Sequence, residues 1–588
     1  MARTVGIGIQ SFGKIIENNC FYVDKTAFIK EWWESYDDVT LITRPRRFGK
    51  TLTMSMLDHF FSVDYAGRGD LFGNLAIWKE EKYRGLQGSY PVIFLSFADI
   101  KEISFSDTRK KICHLINSLY NKYDFLLESG LLNEDEKQEY RAISAEMEDY
   151  LASKSLNILS EYLSRYYGKK VIILLDEYDT PMQEAYIYGY WEEMAAFIRS
   201  LFNSTFKTNP YLERAIMTGV TRISKESIFS DLNHLEVVTS TIQKYEDVFG
   251  FTEEEVYASL EEFSREEEMR SVKYWYDGFV FGKQSDIYNP WSIINYLDKG
   301  QLRPYWANTS SNGLVGTLIR QSVPEVKRIM ENLLTGGKLY AQIDEQVVFT
   351  QLDQDENAIW SLLLASGYLK AESCVQNEES GEYEYELSLT NNEVRLMFER
   401  LIRGWFGRCA GDYNQFVRAL LAGNLEDMNG YMSDIACELF SSFDGGTKPS
   451  ERTHPERFYH GFVLGLLVEL KDRYVLTSNG ESGYGRYDII LEPKTAGIKE
   501  TPGHSGRNAA INNRERDAII NNRERDAIII EFKVVNSRKK ESLEEGVESA
   551  LAQIEKMQYE TILRKKGIPA ERIRKYGFAF EGKQVLIG

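Results

Sequence analysis

Three groups of residues have types and spacing that could do chemistry. The first is Arg44-Pro45-Arg46-Arg47-Phe48-Gly49-Lys50-Thr51. A nucleoside triphosphate needs inward-pointing backbone N–H groups, a cation and a hydroxyl for Mg²⁺. Gly49 permits the close turn, Lys50 would reach the β/γ-phosphates and Thr51 would bind the metal. Arg46 and Arg47 add positive charge beside the phosphates. Arg44 stands where the G-x-x-x-x-G-K-[ST] pattern has glycine, a departure that would reshape the turn or slow hydrolysis. The second group is Asp176-Glu177, closing the apolar run Val171 to Leu175. Asp176 would hold Mg²⁺ and Glu177 would polarise the attacking water. Thr218 and Arg222 follow the next apolar run and could meet the γ-phosphate and transition-state charge. Each has a plain alternative: a basic surface turn, a solvated acidic turn, an ordinary strand-to-loop turn. The first two groups in this order, with a strand between them, favour the joint reading.

The third group is Asp488 with Glu531 and Lys533. Residues two apart on a strand leave the same face. Two carboxylates on adjacent strands, beside a lysine, suit Mg²⁺-dependent phosphodiester hydrolysis. Asp488 and Glu531 would bind the metal, and Lys533 would orient or activate water or steady the scissile phosphate. The alternative is an edge strand with Glu and Lys facing solvent. Against it, Ala527 to Ile530 is strongly apolar, and charges at its end are costly without a purpose.

These residues need elements to position them. Val39 to Thr43 reads as a short strand, the loop follows, and Leu52 onward reads as a helix, which is the context a phosphate loop requires. Further apolar strands at Tyr90–Phe97, Lys170–Leu175 and Arg214–Met217 alternate with helices at about Asp107–Tyr123, Glu134–Tyr167 and Trp191–Phe206. That pattern predicts a parallel sheet covered on both faces. Beyond residue 250 come an acidic helix, Phe251–Phe263, and a stretch dense in Trp, Tyr, Gly, Asn and Asp. Helix, paired strands and helix follow across Ile359–Phe406, resembling a winged-helix or lid module, or equally a helical connector. The polar stretch Ser442 to Pro455 marks a boundary. Past it lie a helix at Glu456–Leu470, strands at Tyr474–Ser478, Arg486–Leu491 and Ala527–Lys533, a helix at Leu543–Tyr559 and a strand at Tyr576–Phe580. A nine-residue segment, Ile511 to Ile519, is repeated at once as Ile520 to Ile528. One tandem copy indicates a local duplication rather than a solenoid. The first copy reads as an enlarged loop and the second as the start of the strand ending at Lys533.

At 588 residues the chain is long enough for several domains, and its 43% hydrophobic and 27% charged content fits a globular protein. A net charge of −19 counts against non-specific coating of nucleic acid, though not against a local basic groove. Arg538-Lys539-Lys540, Arg564-Lys565-Lys566, Arg572, Arg574 and Lys575 could contact phosphates, or simply form a solvated face. Five scattered cysteines with no C-x-x-C pair suit a reducing compartment. Met1 to Asn19 lacks a signal-peptide core, and no apolar run approaches a membrane span, so the protein reads as cytoplasmic and without a membrane partner. The six histidines show no metal-ligand spacing.

Several motifs in order carry a family resemblance: Phe21-Tyr22-Val23-Asp24-Lys25-Thr26, the loop Arg44 to Thr51, Leu175-Asp176-Glu177-Tyr178-Asp179, Thr218-Gly219-Val220-Thr221-Arg222-Ile223, Trp275-Tyr276-Asp277-Gly278-Phe279 with Tyr288-Asn289-Pro290-Trp291-Ser292, and Asn308-Thr309-Ser310-Ser311-Asn312. They resemble the bacterial AAA-ATPase-like family, whose members commonly carry a C-terminal nuclease-like domain of the PD-(D/E)XK superfamily. The resemblance implies an α/β chain: a P-loop NTPase domain with a parallel sheet of ASCE type over 1–250, a mostly helical middle or lid region over 251–445, and a restriction-endonuclease-like α/β domain over 446–588. It makes Arg44 a family trait. It implies a metal-supporting carboxylate at Glu456 and a site contact from Gln553. The cofactors implied are ATP and Mg²⁺, and the partner is nucleic acid, DNA before RNA; a homo-oligomer stays open. Two functions follow. One is an ATPase controlling a Mg²⁺-dependent nuclease. The other is a nucleotide-dependent switch or scaffold whose C-terminal domain binds nucleic acid or a partner without cutting. A winged-helix DNA-binding regulator is a third.

Overall fold

A computed structural model describes residues 2–223, 228–229, 232–307, 315–316, 318–319, 324–334, 336–344, 352, 356–376, 383–405, 410–439, 459, 463–464, 466–467, 470, 473–478, 480–483, 485–494, 526–535, 542–581 and 584–588. The chain forms two compact units: Met1–Ser322 with Leu333–Phe398, and Val323–Asn332 with Glu399–Gly588.

The first unit is built on five parallel strands: β1 (Val39–Thr43), β2 (Val92–Ser96), β3 (Val171–Asp176), β4 (Leu212–Gly219) and β5 (Leu235–Val238). Their order is β2-β3-β4-β1-β5. β4 therefore lies between β1, which feeds the phosphate loop, and β3, which ends in Asp176, as the expected ASCE type requires. Every residue of β1 and β3 is buried, because helices cover both faces of the sheet. Ile173, Leu175, Ala215 and Met217 pack there with Ile112, Leu159, Ile198 and Leu201 from the covering helices.

Element boundaries largely follow the sequence. The expected helix Glu134–Tyr167 instead breaks into Glu134–Ala142 and Asp149–Tyr167. Ile143 takes an extended conformation, and it and Met147, each 4% exposed, turn into the core. Burying two apolar side chains offsets the lost helical turn. The helix from Trp191 ends at Phe202 and passes into a π-turn over Asn203–Lys207.

The aromatic stretch after residue 250 is also core. Phe251, Val256, Leu260, Tyr276, Tyr288, Ile293 and Tyr296 cluster with Phe21. β6 (Phe279–Phe281) and β7 (Gln284–Ile287) form a ribbon within it. The expected pair of strands is present as β9 (Leu369–Gln376) and β10 (Tyr383–Leu389). A third strand, β8 (Leu339–Gln342), pairs antiparallel with β10, and this strand was not read from the sequence.

The second unit carries a mixed sheet in the order β11-β14-β15-β16-β17. Its strands are β11 (Tyr474–Ser478), β14 (Ile489–Pro493), β15 (Ala527–Val534), β16 (Ile573–Glu581) and β17 (Gln584–Ile587), with the short pair β12 (Glu481–Ser482) and β13 (Gly485–Arg486) beside it. β15 pairs antiparallel with β14 and parallel with β16, so it is an interior strand. Ile528, Ile530 and Phe532 face one core, and Ile529 with Ile554 and Tyr559 another. Of the duplicated segment, only Asp526 to Ile528 is described, and the strand begins there. Glu456 and Arg538 to Lys540 lie outside the described residues, as does Asn308 to Asn312.

Candidate functional site

The phosphate loop leaves β1 and closes on the helix Lys50–Phe61, with Gly49 at φ 84° and Arg47 at φ 67°. Position 44 is not among the positive-φ residues, so the turn does not demand glycine there. Its side chain has another use. Arg44 is fully buried, and its Nη1 donates to the carbonyls of Thr43, Val238 and Thr239 at 2.9, 3.3 and 2.7 Å. Its Nη2 donates to Tyr245 O at 3.4 Å, and the guanidinium lies 4.7 Å from the Phe281 ring. Burial pushes its pKa down to about 9. The Arg44 side chain is a strut beneath the loop, because carbonyls and rings already take its charge.

Lys50 is also buried. Its Nζ donates to Arg44 O and Pro45 O, both at 2.8 Å, and burial pushes its pKa down to about 8. Thr51 Oγ1 donates to Asp176 Oδ2 at 2.7 Å, while Thr218 Oγ1 donates to Asp176 Oδ1 at 2.5 Å. Asp176 is thus gripped from β1's helix and from β4. Burial raises its pKa, opposed by these two hydroxyls. Glu177 sits at φ 53°, and its Oε2 accepts from Thr180 Oγ1 at 3.2 Å. A left-handed residue at a strand end turns the chain sharply, which brings Glu177 out beside the loop. Besides burial, Lys50 feels the charges of Glu177, Asp176, Asp179 and Arg46. Hydroxyl and carboxylate oxygens are the donors Mg²⁺ prefers, and Thr51 with Asp176 would hold it. Arg222 is half-buried on the loop after β4.

Several residues the sequence reading did not single out complete the site. Asp179, 1% exposed, accepts on Oδ2 from Val220 N, Thr221 N and Thr221 Oγ1 at 3.0, 2.9 and 2.9 Å. Gln183 Nε2 donates to the same oxygen at 2.9 Å, and Arg46 Nη2 donates to Gln183 Oε1 at 3.1 Å. The outer side of the loop is fastened by Asn289 Nδ2 and Trp306 Nε1, donating to Arg46 O at 3.3 and 3.0 Å. Arg47 stacks on Trp291 at 4.5 Å. Asn289-Pro290 is a legible helix start, and Asn289 Oδ1 does cap Trp291 N and Ser292 N. Its second contact, 243 residues away in sequence, has no local signal. Glu393, fully buried, accepts from Ser292 Oγ at 2.8 Å and from Trp306 N at 2.6 Å; burial lifts its pKa to about 7.

In the second unit, Asp488 precedes β14, where Ile489 pairs with Ile530, so Asp488 falls opposite Glu531. Asp488 Oδ2 accepts from Phe532 N at 2.8 Å, and burial raises its pKa against the pull of that N–H and of Lys533. Glu531 is 2% exposed, and Lys533 Nζ lies 3.7 Å from its Oε1. A buried Glu531 on an interior strand removes the solvent-facing edge-strand alternative. Gln553 Nε2 donates to Glu531 Oε1 and, at 3.1 Å, to Tyr559 Oη, which itself donates to Arg486 O at 2.6 Å. Among the described residues no group of three or more His, Cys, Asp and Glu side chains forms a ready-made metal cage. A cation here would rest on Asp488 and Glu531 and take its other oxygens from water or substrate, a habit of Mg²⁺. Of the basic residues that the sequence offered for phosphate contact, Lys566 pairs with Glu492, Arg572 and Arg574 with Asp526, and Lys575 with Glu555 and Glu560.

Residues 6–229 match the family described as predicted AAA-ATPase, and residues 514–588 match the PD-(D/E)XK nuclease superfamily. The chain carries an AAA-ATPase-like domain and a nuclease-superfamily domain. The first match takes in the loop, Asp176-Glu177, Thr218 and Arg222. The second takes in Glu531, Lys533 and Gln553, while Asp488 precedes it. The chain is also 28% identical over 337 residues to an uncharacterized protein in the vnfD 5′ region of Azotobacter chroococcum mcd 1. That stretch covers 56% of this chain and 59% of the relative. Among the described residues no helix is long and apolar enough to cross a membrane.

Proposed function

We propose that the AAA-ATPase-like domain binds and hydrolyses ATP with Mg²⁺, and that the nuclease-superfamily domain cleaves nucleic acid phosphodiester bonds under its control. One observation carries this reading: in each unit a buried carboxylate on an interior strand meets a second residue of its motif, Asp176 the Thr51 hydroxyl at 2.7 Å and Glu531 the Lys533 ammonium at 3.7 Å. Lys50 would exchange the two loop carbonyls for phosphate oxygens. Thr51 and Asp176 would hold the metal, which would neutralise charge on the triphosphate. Glu177 would take the proton of the attacking water, with Thr218 and Arg222 near the γ-phosphate. In the second unit Asp488 and Glu531 would bind a metal that polarises the scissile phosphate, and Lys533 would orient the water. Gln553 and Tyr559 would fix the Glu531 carboxylate. The three segments 1–250, 251–445 and 446–588 would then act as engine, latch and cutter in the cytoplasm.

A second reading, a switch or scaffold that does not cut, draws on the ion pairing of Lys566, Arg572, Arg574 and Lys575, which leaves those cations fewer contacts to offer a phosphate backbone. The deciding experiment incubates the full chain with single- and double-stranded DNA and RNA, with and without ATP and Mg²⁺, beside Lys533→Ala. Metal-dependent cleavage lost in that variant supports the nuclease. ATP binding with no cleavage of any substrate supports the switch.

A further inference from the structure

We propose that Gln183 is a positioning residue. It sets Arg46 to recognise the γ-phosphate and, through Asp179, ties that arginine to the loop after β4. This rests on the ATP-binding reading above and adds to it how ATP is told from ADP.

The argument begins with Arg46. Its backbone carbonyl is clamped by Asn289 and Trp306, while its side chain is exposed. A fixed backbone with a solvent-reaching guanidinium is an arm on a rigid mount. The arm's charge reaches Lys50, whose pKa is lowered chiefly by burial and further by Arg46. Gln183 holds the arm, accepting from Nη2 at 3.1 Å.

Glutamine suits that task. Its amide presents one acceptor and one donor face. Here Oε1 takes the guanidinium and Nε2 gives to Asp179 Oδ2, so each contact fixes the orientation of the other. Asp179 is the N-cap of the helix Thr180–Tyr188 and Gln183 lies four residues on, hence on the same side. Asp179 in turn receives the Val220 and Thr221 N–H groups and the Thr221 hydroxyl. A hydrogen-bonded chain therefore runs from the phosphate loop through Gln183 and Asp179 to the residue before Arg222. Gly219 lets the chain close: a Cβ there would lie 2.7 Å from the Tyr178 ring and 2.8 Å from Asp179 Oδ1.

A neutral amide is a weak partner for a guanidinium, whereas a phosphate oxygen is a charge-assisted one. The γ-phosphate would add a charge-assisted contact to other N–H groups of the arginine that Gln183 orients, and ADP, lacking that group, would forgo it. Arg46 then contributes to ATP-over-ADP preference, and Gln183 does so through Arg46.

The test measures affinity of the full chain for a non-hydrolysable ATP analogue and for ADP, with steady-state hydrolysis, in Arg46→Ala, Gln183→Ala, the isosteric Gln183→Met and the double variant Arg46→Ala/Gln183→Ala. Each single change should cut the ATP-over-ADP preference about tenfold and lower kcat, with ADP affinity unchanged. The double variant should match Arg46→Ala alone, since Gln183 has nothing left to position. Gln183→Met keeps the packing, so its loss reports the hydrogen bonds and not the fold. Equal weakening of ATP and ADP, or full additivity in the double variant, overturns the inference. Wild-type protein that hydrolyses ATP beside an unaltered Gln183→Met overturns this inference alone; wild-type protein that binds neither nucleotide overturns the ATP reading with it.

Discussion

Arg44 shows how a motif position can change its occupation. The turn around the phosphates places its left-handed residues at Arg47 and Gly49, so residue 44 is released from glycine's role and its guanidinium is used below the loop. Arg44→Gly, which restores the common pattern, should therefore harm the protein: it strips buried carbonyls of their donors and leaves a void. We expect a loss of about 3 kcal/mol or more, read as a lower midpoint in chemical denaturation. Glu177 is the contrary case, a residue whose removal spares the fold. Glu177→Gln should bind the ATP analogue as wild type does and lose hydrolysis by about 10²–10⁴-fold in a phosphate-release assay. Unchanged turnover in that variant would remove Glu177 from the role of base.

At the scale of elements, the helix starting at Pro290 and the Trp306 segment act together as a latch on the phosphate loop, and Glu393 joins them. Burial raises Glu393 from 4.5 to about 7, with the Ser292 hydroxyl and the Trp306 and Ala307 N–H groups opposing it. The folded state therefore holds this proton more tightly than the unfolded state. The linked stability is full below about pH 4.5 and is lost as pH rises through about 7, amounting to about 3 kcal/mol over that window. Thermal unfolding across pH 5–8 should show wild type losing stability as pH rises, with a shallower slope in Glu393→Gln. Parallel slopes would mean that the Ser292, Trp306 and Ala307 contacts keep the carboxylate charged throughout. The interior position of β15 plays the matching part in the second unit, since pairing on both edges holds Asp488 and Glu531 opposite each other.

For the whole molecule, two sites on two compact units predict separable losses. Asp488→Ala should abolish cleavage and leave ATP hydrolysis within about twofold, whereas Lys50→Ala should remove nucleotide binding; the two assays on each variant check this. Coupled loss of both activities in Asp488→Ala would instead mean that the C-terminal site governs the ATPase. The tandem duplication permits a further check. The described strand starts at Ala527, with Asp526 held by Arg572 and Arg574, and these residues come from the second copy. Deleting residues 511–519 should leave the unfolding midpoint unchanged, because the copy that remains supplies the same Asp-Ala-Ile at the strand's start.

The alternation of apolar runs and helices in this sequence determined a parallel sheet and the order of its elements, because side-chain periodicity and turn chemistry are local. Gly49-Lys50-Thr51, Asp176-Glu177 and Glu531-x-Lys533 were legible for the same reason: each motif keeps its chemistry within a few residues. What only the tertiary structure decided was every partnership between distant segments. Arg44 became a strut when Val238, Thr239 and Tyr245 closed over it. Asp179 and Gln183 became a link when β4 delivered Val220 and Thr221. The aromatic stretch after residue 250 became core once Phe21 packed into it, and Asn289 and Trp306 reached the loop from more than 240 residues away. Burial and long-range hydrogen bonds arise from the path of the whole chain, so no window of sequence contains them.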